Sequence, residues 1–447
     1  MGSPITFSGF NSIDFNQILN AVMTQERTPL TRLETQKTTL EAQKTAFGTL
    51  ATRLAALESA AEALKAKDSL ATLKASSTDS GVGVATTSGT VTGTYDIEVF
   101  ELAKAQVTSS TNPYTALTDV AATGGFLRLT PGNGDPAVDI TLTGSTTLQQ
   151  LADAINAETD SPASASVVQT SPGTYKLVLS GKETGADKSF TIDTTGLTGS
   201  ALAFGASSQT AIDAELEVNG LPVTSASNTV SDVITGATLS LTKKAPGTIV
   251  TVKVDRDTDA SQALIDKFIK AYNDLQTFAK DQGVAAQAGR PNIGRDPLLR
   301  GLRDGLRSAS LSQYVGGANT RLAEIGVGFD MTGKMVLDST VFKAAVAASP
   351  SAVQTLVSGA AGDGGAFGAF TALIEDYTET GGLVSGVRDR IDKQVSSIRN
   401  RLDTMEVALA IRRTSLQQEY IAADLAMTRL KAQSASLSSV GGGYKLF

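Results

Sequence analysis

The chain has 447 residues, 41% of them hydrophobic, and a formal net charge of −7, which describes a soluble, folded protein long enough for several domains. Cysteine, histidine and tryptophan are absent, which removes disulfides, thiol nucleophiles, thiolate zinc sites and imidazole acid/base chemistry together. No run approaches 18 apolar residues, so no membrane insertion is expected, and Met1 to Met23 lacks the basic and apolar regions of a secretion signal.

From the N-terminus, a polar lead, Phe7-Ser8-Gly9-Phe10-Asn11-Ser12-Ile13-Asp14, passes into a helix over Phe15 to Arg27, with Ile18, Leu19, Val22 and Met23 at helical spacing. Pro29 interrupts it, and a second helix is expected to open with Thr28 as N-cap and Pro29 at its first position. The second helix carries a heptad row, Leu33, Leu40, Phe47, Leu54 and Ala61, with Leu50, Leu57 and Leu64 on the companion row. Gln36 and Gln43 occupy the earlier companion sites, polar positions of a kind that costs stability and fixes register.

Past Lys74 the composition turns to Ser, Thr, Gly and Val. Gly93 to Val99 alternates with period two and reads as a strand. Asn112 to about Thr210 reads as an α+β insert, with strands at Phe126 to Leu129, Val138 to Leu142, Tyr175 to Leu179 and Phe190 to Ile192. One helix lies among them, Leu148 to Asn156, capped by Thr146 or Thr147. A further β segment has Ala214 to Val218, a turn at Asn219-Gly220 whose alternating flanks signal a hairpin, then Ala237 to Leu241 and Ile249 to Val254. Ser76 to Asp257 holds nine basic and nineteen acidic side chains, a net of −10. So acidic a middle does not suit nucleic acid, which needs a basic footprint.

Helix returns after Asp259, with Leu264, Phe268, Tyr272 and Leu275 on one face, and again over Arg295 to Leu311 behind Asp296 and Pro297. Ile325 to Leu337 reads as a hairpin about Met331 to Lys334, and Thr340 to Leu356 as helices. Gly359 to Gly368, with five glycines in ten residues, is expected to be a flexible loop before a helix at Phe370 to Tyr377.

The last element is the longest. Val395, Leu402, Leu409, Leu416, Ala423, Leu430 and Leu437 recur every seven residues, and Ile391, Ile398 and Met405 form the second row of the seam. One helix over Leu383 to Leu437 is predicted, roughly 80 Å long at 1.5 Å per residue. The second row turns polar at Arg412 and Glu419, with Tyr420 and Met427 one position late. The first half, Ile391 to Leu409, is therefore expected to pack on Leu50 to Leu64 within one subunit, and the second half to be intermolecular.

Candidate chemistry is sparse. Asp255, Asp257, Asp259 and Asp266 fall at positions 1, 3, 5 and 12 of a calcium loop, but Ala260 stands where the turn needs glycine, and Asp259 reads instead as the cap of a helix starting at Ala260. The Gly316-Gly317, Gly362 to Gly365 and Gly441 to Gly443 runs lack phosphate-loop spacing and read as linkers. The pairs Asp135/Asp139 and Glu215/Glu217 read as solvated surface. No catalytic residue, cofactor or metal is assigned and no enzyme is expected. The residues singled out are those of the coiled-coil and oligomerisation seam: Leu33, Leu40, Phe47, Leu54, Leu402, Leu409, Leu416, Leu430 and Leu437.

Several motifs in order resemble one family, the flagellar filament cap proteins (hook-associated protein two, FliD). They are Phe7-Ser8-Gly9-Phe10 with Ile13-Asp14, Glu26-Arg27-Thr28-Pro29-Leu30, and the Leu148 to Asn156 helix, which is similar to a flagellin-type motif ending in Ile-Asn. Val218-Asn219-Gly220, followed by Ser227-Asn228-Thr229-Val230, Asp232-Val233-Ile234 and Gly236-Ala237-Thr238-Leu239, resembles its second β domain. Asp296-Pro297-Leu298-Leu299, Ile325-Gly326-Val327 and Met427 to Leu437 resemble its C-terminal region, while Asn11-Ser12 departs from the family's Gly-Ser-Gly.

The resemblance implies a non-enzymatic, ring-shaped homo-oligomer at the distal end of the filament, in contact with flagellin and the hook-filament junction proteins. It also implies export without a cleaved signal peptide through the flagellar type III apparatus, with an export chaperone on the C-terminal helix. A tip adhesin for host or surface glycans, or another filament or junction subunit, is the alternative. The expected fold is multidomain α+β: a coiled-coil leg (1–45 with 400–447), a helical stalk with a β-hairpin (46–75 with 258–399), a β-rich head (76–110 with 211–257) and an inserted α+β outer head (111–210).

Overall fold

The computed structural model describes residues 14–87, 89–314, 318–360 and 364–441, without the side chains of 438–441. The Phe7 to Ile13 lead, Gly316-Gly317, Gly362 and Gly442-Gly443 lie outside the described residues. The chain divides into two compact units, Met1–Leu70 with Asp259–Phe447, and Ala71–Thr258. In chain order the helices are α1 (Phe15–Glu26), α2 (Thr28–Lys65), α3 (Leu148–Ala157), α4 (Thr258–Gln287), α5 (Pro297–Leu311), α6 (Ser339–Ala348), α7 (Pro350–Ser358), α8 (Gly365–Thr378) and α9 (Leu383–Gly441). Helical ends around a β-rich middle are the α+β multidomain class expected.

In the first unit α1 opens on Asp14, whose side chain accepts from the Gln17 N–H at 3.0 Å. The step into α2 is nearly continuous. Arg27 stays in the right-handed helical region (φ −79°, ψ −12°), donating to the Met23 carbonyl and accepting from the Thr31 N–H. Thr28 is therefore the first residue of α2, and the cap position is Arg27, with no side-chain cap bond. The preceding turn of α1 makes a side-chain cap unnecessary, and Pro29 sits where an N–H would have no intrahelical acceptor.

The inner face of α2, Phe47, Leu50, Leu54, Leu57, Ala61 and Leu64, is buried in one core with Ile265, Phe268, Tyr272 and Leu275 of α4, Leu302 and Leu306 of α5, and Phe367, Phe370 and Ile374 of α8. Phe268 meets Phe367 and Phe370 edge-on at 4.8 and 4.9 Å between centroids, a geometry that aromatic quadrupoles favour. Helix α8 lies along this end of α2, where Thr378 Oγ1 donates to Glu58 Oε2 at 3.0 Å. It takes the place on Leu50 to Leu64 expected for the first half of α9.

The segment expected as a flexible loop is partly helix, since α8 starts at Gly365. Its glycines serve close approach. A Cβ on Gly364 (φ +93°) would stand 2.5 Å from Gly368 Cα, and one on Gly365 (φ +48°) 2.6 Å from the Leu356 carbonyl. The short hairpin pairs Val327–Phe329 with Met335–Leu337. Asn273 of α4 anchors it, donating to the Met335 carbonyl at 2.8 Å and accepting from the Met335 N–H at 2.9 Å.

The second unit holds two hydrophobic clusters. One lies among an antiparallel five-stranded sheet, in the order Leu73–Ser77, Val250–Arg256, Gly93–Glu101, Ala214–Val218, Leu221–Ser225, and a three-stranded sheet of Thr229–Ile234, Ala237–Leu241 and Val82–Thr86. Period-two side chains fill it: Ile97 and Val99, Leu216 and Val218, and Val250, Val252 and Val254. Asn219 and Gly220 both have positive φ (51° and 78°) and join Val218 to Leu221, the two-residue hairpin that Asn-Gly favours. Leu221–Ser225 is the second arm of that hairpin, whereas the strand at Thr229–Ile234 was not expected.

The other cluster lies under α3, which packs Leu148, Leu151, Ala152 and Ile155 on strands that include Gly124–Pro131, Val138–Leu142, Ala163–Ser171 and Thr174–Gly181. Thr147 caps α3 reciprocally. Its Oγ1 accepts from the Gln150 N–H at 3.2 Å and its N–H donates to Gln150 Oε1 at 2.9 Å. Ala163–Ser171 escaped expectation because alanine and serine carry little β signal, and its pairing along Thr174–Gly181 supplies the order.

Candidate assembly surface

The seam residues lie on α2 and α9 of the first unit. Helix α9 has 59 residues, roughly 90 Å at 1.5 Å per residue, and it runs antiparallel to α2. Lys44 Nζ meets Asp392 at 2.5 Å and Arg399 meets Glu41 at 2.8 Å. Exposed pairs of this kind contribute only about 0–1 kcal/mol each, so their value is in selecting register.

Beneath those pairs the helices are joined by apolar contacts. Phe47 and Leu54 are buried in the main core, which also takes Ile391 and Val395 of α9. Further out, Leu30, Ile398 and Leu402 form a buried cluster, with Leu33, Leu40, Met405 and Leu409 partly buried around it. The first half of α9 thus meets α2 largely outside Leu50 to Leu64. Gln43, a polar site in the seam, donates to the Asn292 carbonyl at 3.2 Å, so its polarity is used rather than merely tolerated.

Beyond Arg412 the seam continues within the chain. Leu416 is buried by Leu19 and Met23 of α1, with Val22, Leu409 and Tyr420 beside them, and the Phe15 and Tyr420 rings stack at 5.6 Å. The expectation that everything past the polar break is intermolecular is thereby corrected: α1 covers Leu409 to Tyr420. The one-residue slip to Tyr420 is what brings its ring over Phe15. Leu430 and Leu437 are not brought together with the other seam residues, being 63% and 72% exposed.

Sequence reasoning missed a second apolar stripe on α9. Val407, Ile411 and Leu425 are 62%, 66% and 54% exposed and fall on the side opposite the seam at 100° per residue. Val407 and Ile411 stand at i, i+4, and Leu425 returns to that face fourteen residues later, a readable signal. It was overlooked because the heptad row dominates the same helix.

The other candidates resolve locally. Asp259 does not cap a helix at Ala260, because α4 already begins at Thr258; it pairs with Lys343 Nζ at 2.9 Å, while Asp255 pairs with Lys253 Nζ at 2.7 Å. Among the described residues no group of three or more acidic side chains is placed to hold a metal ion. Asp139 is gripped by Arg128 at 2.6 and 2.8 Å, which holds its carboxyl below the usual range. Among the described residues no helix is long and apolar enough to cross a membrane.

Comparison with known proteins bears on the whole chain. The family model for the C-terminus of flagellar hook-associated protein 2 matches residues 211–432, the model for its N-terminus residues 11–106, and the flagellin hook IN motif residues 127–183. The A-type flagellar hook-associated protein 2 of Pseudomonas aeruginosa is 27% identical, covering 99% of each chain, and the flagellar hook-associated protein 2 of Escherichia coli K12 is 25% identical, covering 96% of each. Among solved structures, the D1-D2-D3 domains of the Escherichia coli flagellar cap protein FliD superpose with a TM-score of 0.65 at 25% identity, covering 78% of this chain and 99% of that one.

Proposed function

The chain belongs to the flagellar hook-associated protein 2 (FliD) family of flagellar cap proteins, and from that we propose that it caps the distal end of the filament, promotes folding and insertion of exported flagellin there, and prevents its leakage. The observation that carries the reading is the long α9 helix, seamed to α1 and α2 and continuing past Tyr420 with exposed Leu425, Leu430 and Leu437. Exposed apolar positions on a chain end suit a segment that gains its partners on assembly, when ordering and burial are coupled.

On this reading the protein is a structural homo-oligomer without enzymatic activity, outside the cell at the filament tip. It arrives by flagellar type III export without a cleaved signal peptide. Its partners are further copies of itself, flagellin, hook-filament junction proteins and an export chaperone on α9, and Leu33, Leu40, Phe47, Leu54, Leu402, Leu409, Leu416, Leu430 and Leu437 are its coiled-coil and assembly residues. The division into leg, stalk, head and outer head accompanies the proposal. Separate apolar clusters about Leu30 and Leu416, about Phe268, about Val252 and about Ile155 support it.

Deleting the gene is expected to leave hooks without filaments while flagellin accumulates as monomer in the medium. Normal filaments in that strain would defeat the proposal. Leu430→Asp with Leu437→Asp is expected to abolish capping while circular dichroism shows the β-rich unit still folded.

A further inference from the structure

Between Lys280 and Lys334 the chain carries eight basic and five acidic side chains, a net of +3, and three of those acids are held in place by peptide N–H groups. The Asp296 carboxylate accepts from the Leu298 N–H at 2.8 Å, that of Glu324 from the Thr320 N–H at 2.6 Å, and that of Asp330 from the Thr332 and Lys334 N–H groups at 2.8 and 2.9 Å. Each is thus occupied with peptide hydrogens. The cations are all exposed, and none of Lys280, Arg290, Arg295, Arg300, Arg303, Arg307, Arg321 or Lys334 forms an ion pair among the described residues.

Four of these cations surround one depression of ≈ 720 Å³ between α4, α5 and the hairpin: Lys280, Arg303, Arg307 and Lys334 outnumber its two carboxylates, Asp304 and Asp330, and Tyr272 and Phe329 are in its lining. The two rings stand 6.0 Å apart. Arg303 Nε donates to Gln276 Oε1 at 3.3 Å, which orients one guanidinium and leaves its outer N–H groups available. Arg303 and Arg307 lie one turn apart on the same face of α5. At the hairpin tip Met331 is fully exposed. An oriented guanidinium beside an aromatic floor and an exposed thioether fits a protein surface that brings carboxylates together with some apolar area.

We propose that this basic depression binds the acidic β-rich unit of a second copy of the chain. The occupant follows from charge complementarity. Residues 76–257 carry a net of −10, and Asp135, Asp139, Glu158, Asp160 and Glu183 outnumber Lys182 and Lys188 in the lining of one depression there, where Glu183 pairs with Lys188 and Glu158 and Asp160 form no ion pair among the described residues. Like charge deters two acidic units from meeting each other, whereas basic against acidic attracts. The contact joins different surfaces of the two copies, so it is heterologous and propagates into a ring or an open series, depending on its rotation. The inference rests on the self-assembly part of the proposed function and locates one contact that assembly uses.

The full chain is to be studied by sedimentation velocity from 50 to 500 mM salt, beside R303E/R307E and E158K/D160K. Assembly of the wild type that weakens at least tenfold over that range, loss of assembly in either variant at 50 mM salt, and its recovery when the two variants are mixed would support the contact. Near-ultraviolet and far-ultraviolet circular dichroism unchanged from wild type establishes that the variants fold. Should the wild type assemble and both variants assemble equally well, the contact is refuted while self-assembly stands. A wild type monomeric at every salt concentration refutes both. Assembly insensitive to salt refutes the electrostatic contact alone.

Discussion

At the residue scale, several motifs that carried the family resemblance turn out to do identifiable physical work. Asn156, the end of the Ile-Asn motif, donates to the Ala165 carbonyl at 2.7 Å and accepts from the Ala165 N–H at 2.8 Å, satisfying both polar groups of a residue in the strand beside α3. Asn156→Ala leaves that pair unmet, and a loss of about 1–3 kcal/mol is expected, seen as an earlier urea midpoint for the β-rich unit. Gly326 adopts φ +85°, and a Cβ there would stand 2.6 Å from the Asp338 carbonyl, so Gly326 is required where a side chain would both strain and collide. Glu101 lies between Lys104 at 2.7 Å and Lys244 at 2.9 Å, and hydrogen bonds from these two, Lys104 first, hold its carboxyl down from an ordinary 4.5 to about 2. A carboxyl lower in the folded than the unfolded chain stabilises fully above pH 4.5 and loses that contribution as pH falls toward 2. Urea midpoints of the β-rich unit are expected to decline over that window, and less steeply in Glu101→Gln. Asp119, Asp139 and Asp193, also held low by hydrogen bonds, contribute to the slope with the same sign.

At the scale of elements, α9 shows how far periodicity reaches. Seven-residue recurrence over Val395 to Leu437 identifies a long helix with a seam, and the helix observed runs Leu383–Gly441. Periodicity could not name the partner of each turn. An apolar face reports that it is buried, not by what, and α8 and α1 claimed surfaces that the heptads had assigned to α9 or to another chain. Two substitutions separate the covered from the uncovered part. Leu416→Asp places a charge among Leu19, Met23 and Tyr420 and is expected to detach α1, raising protease cleavage near residues 15–26. Leu430→Asp, at a side chain 63% exposed, is expected to leave that cleavage rate unchanged. Equal cleavage of the two variants would show that α1 does not hold the Leu416 turn.

At the scale of the whole molecule, the chain nests one compact unit, Ala71–Thr258, within the sequence of another, Met1–Leu70 with Asp259–Phe447. Each has its own buried apolar clusters, so each is expected to unfold as a cooperative body. Phe370→Ala empties a fully buried site beside Phe268 and Phe367 and is expected to cost about 3–5 kcal/mol. In calorimetry this should lower the transition of the helical unit and leave that of the β-rich unit in place; a common shift of both would show that they unfold together.

By itself the sequence determined the α+β class, the nesting of a β-rich middle between helical ends, and most long elements. It did so because those features are written in local terms: a seven-residue apolar period, a period of two, Asp-Pro and Asn-Gly at element ends. It also made the absence of imidazole and thiol chemistry plain. The alanine- and serine-rich strand at Ala163–Ser171, the strand at Thr229–Ile234, the entry into α2 without a side-chain cap, and the conversion of the Gly359 to Gly368 run into the start of α8 were decided by tertiary structure. Pairing along a neighbouring strand, a preceding helical turn and the close passage of another backbone supplied there what local propensity lacked. So too with the seam on α9: sequence showed that its leucines want cover, and only the packed chain showed that α2 and α1 provide it as far as Tyr420, leaving Leu430 and Leu437 exposed, because cover depends on which surfaces meet in space.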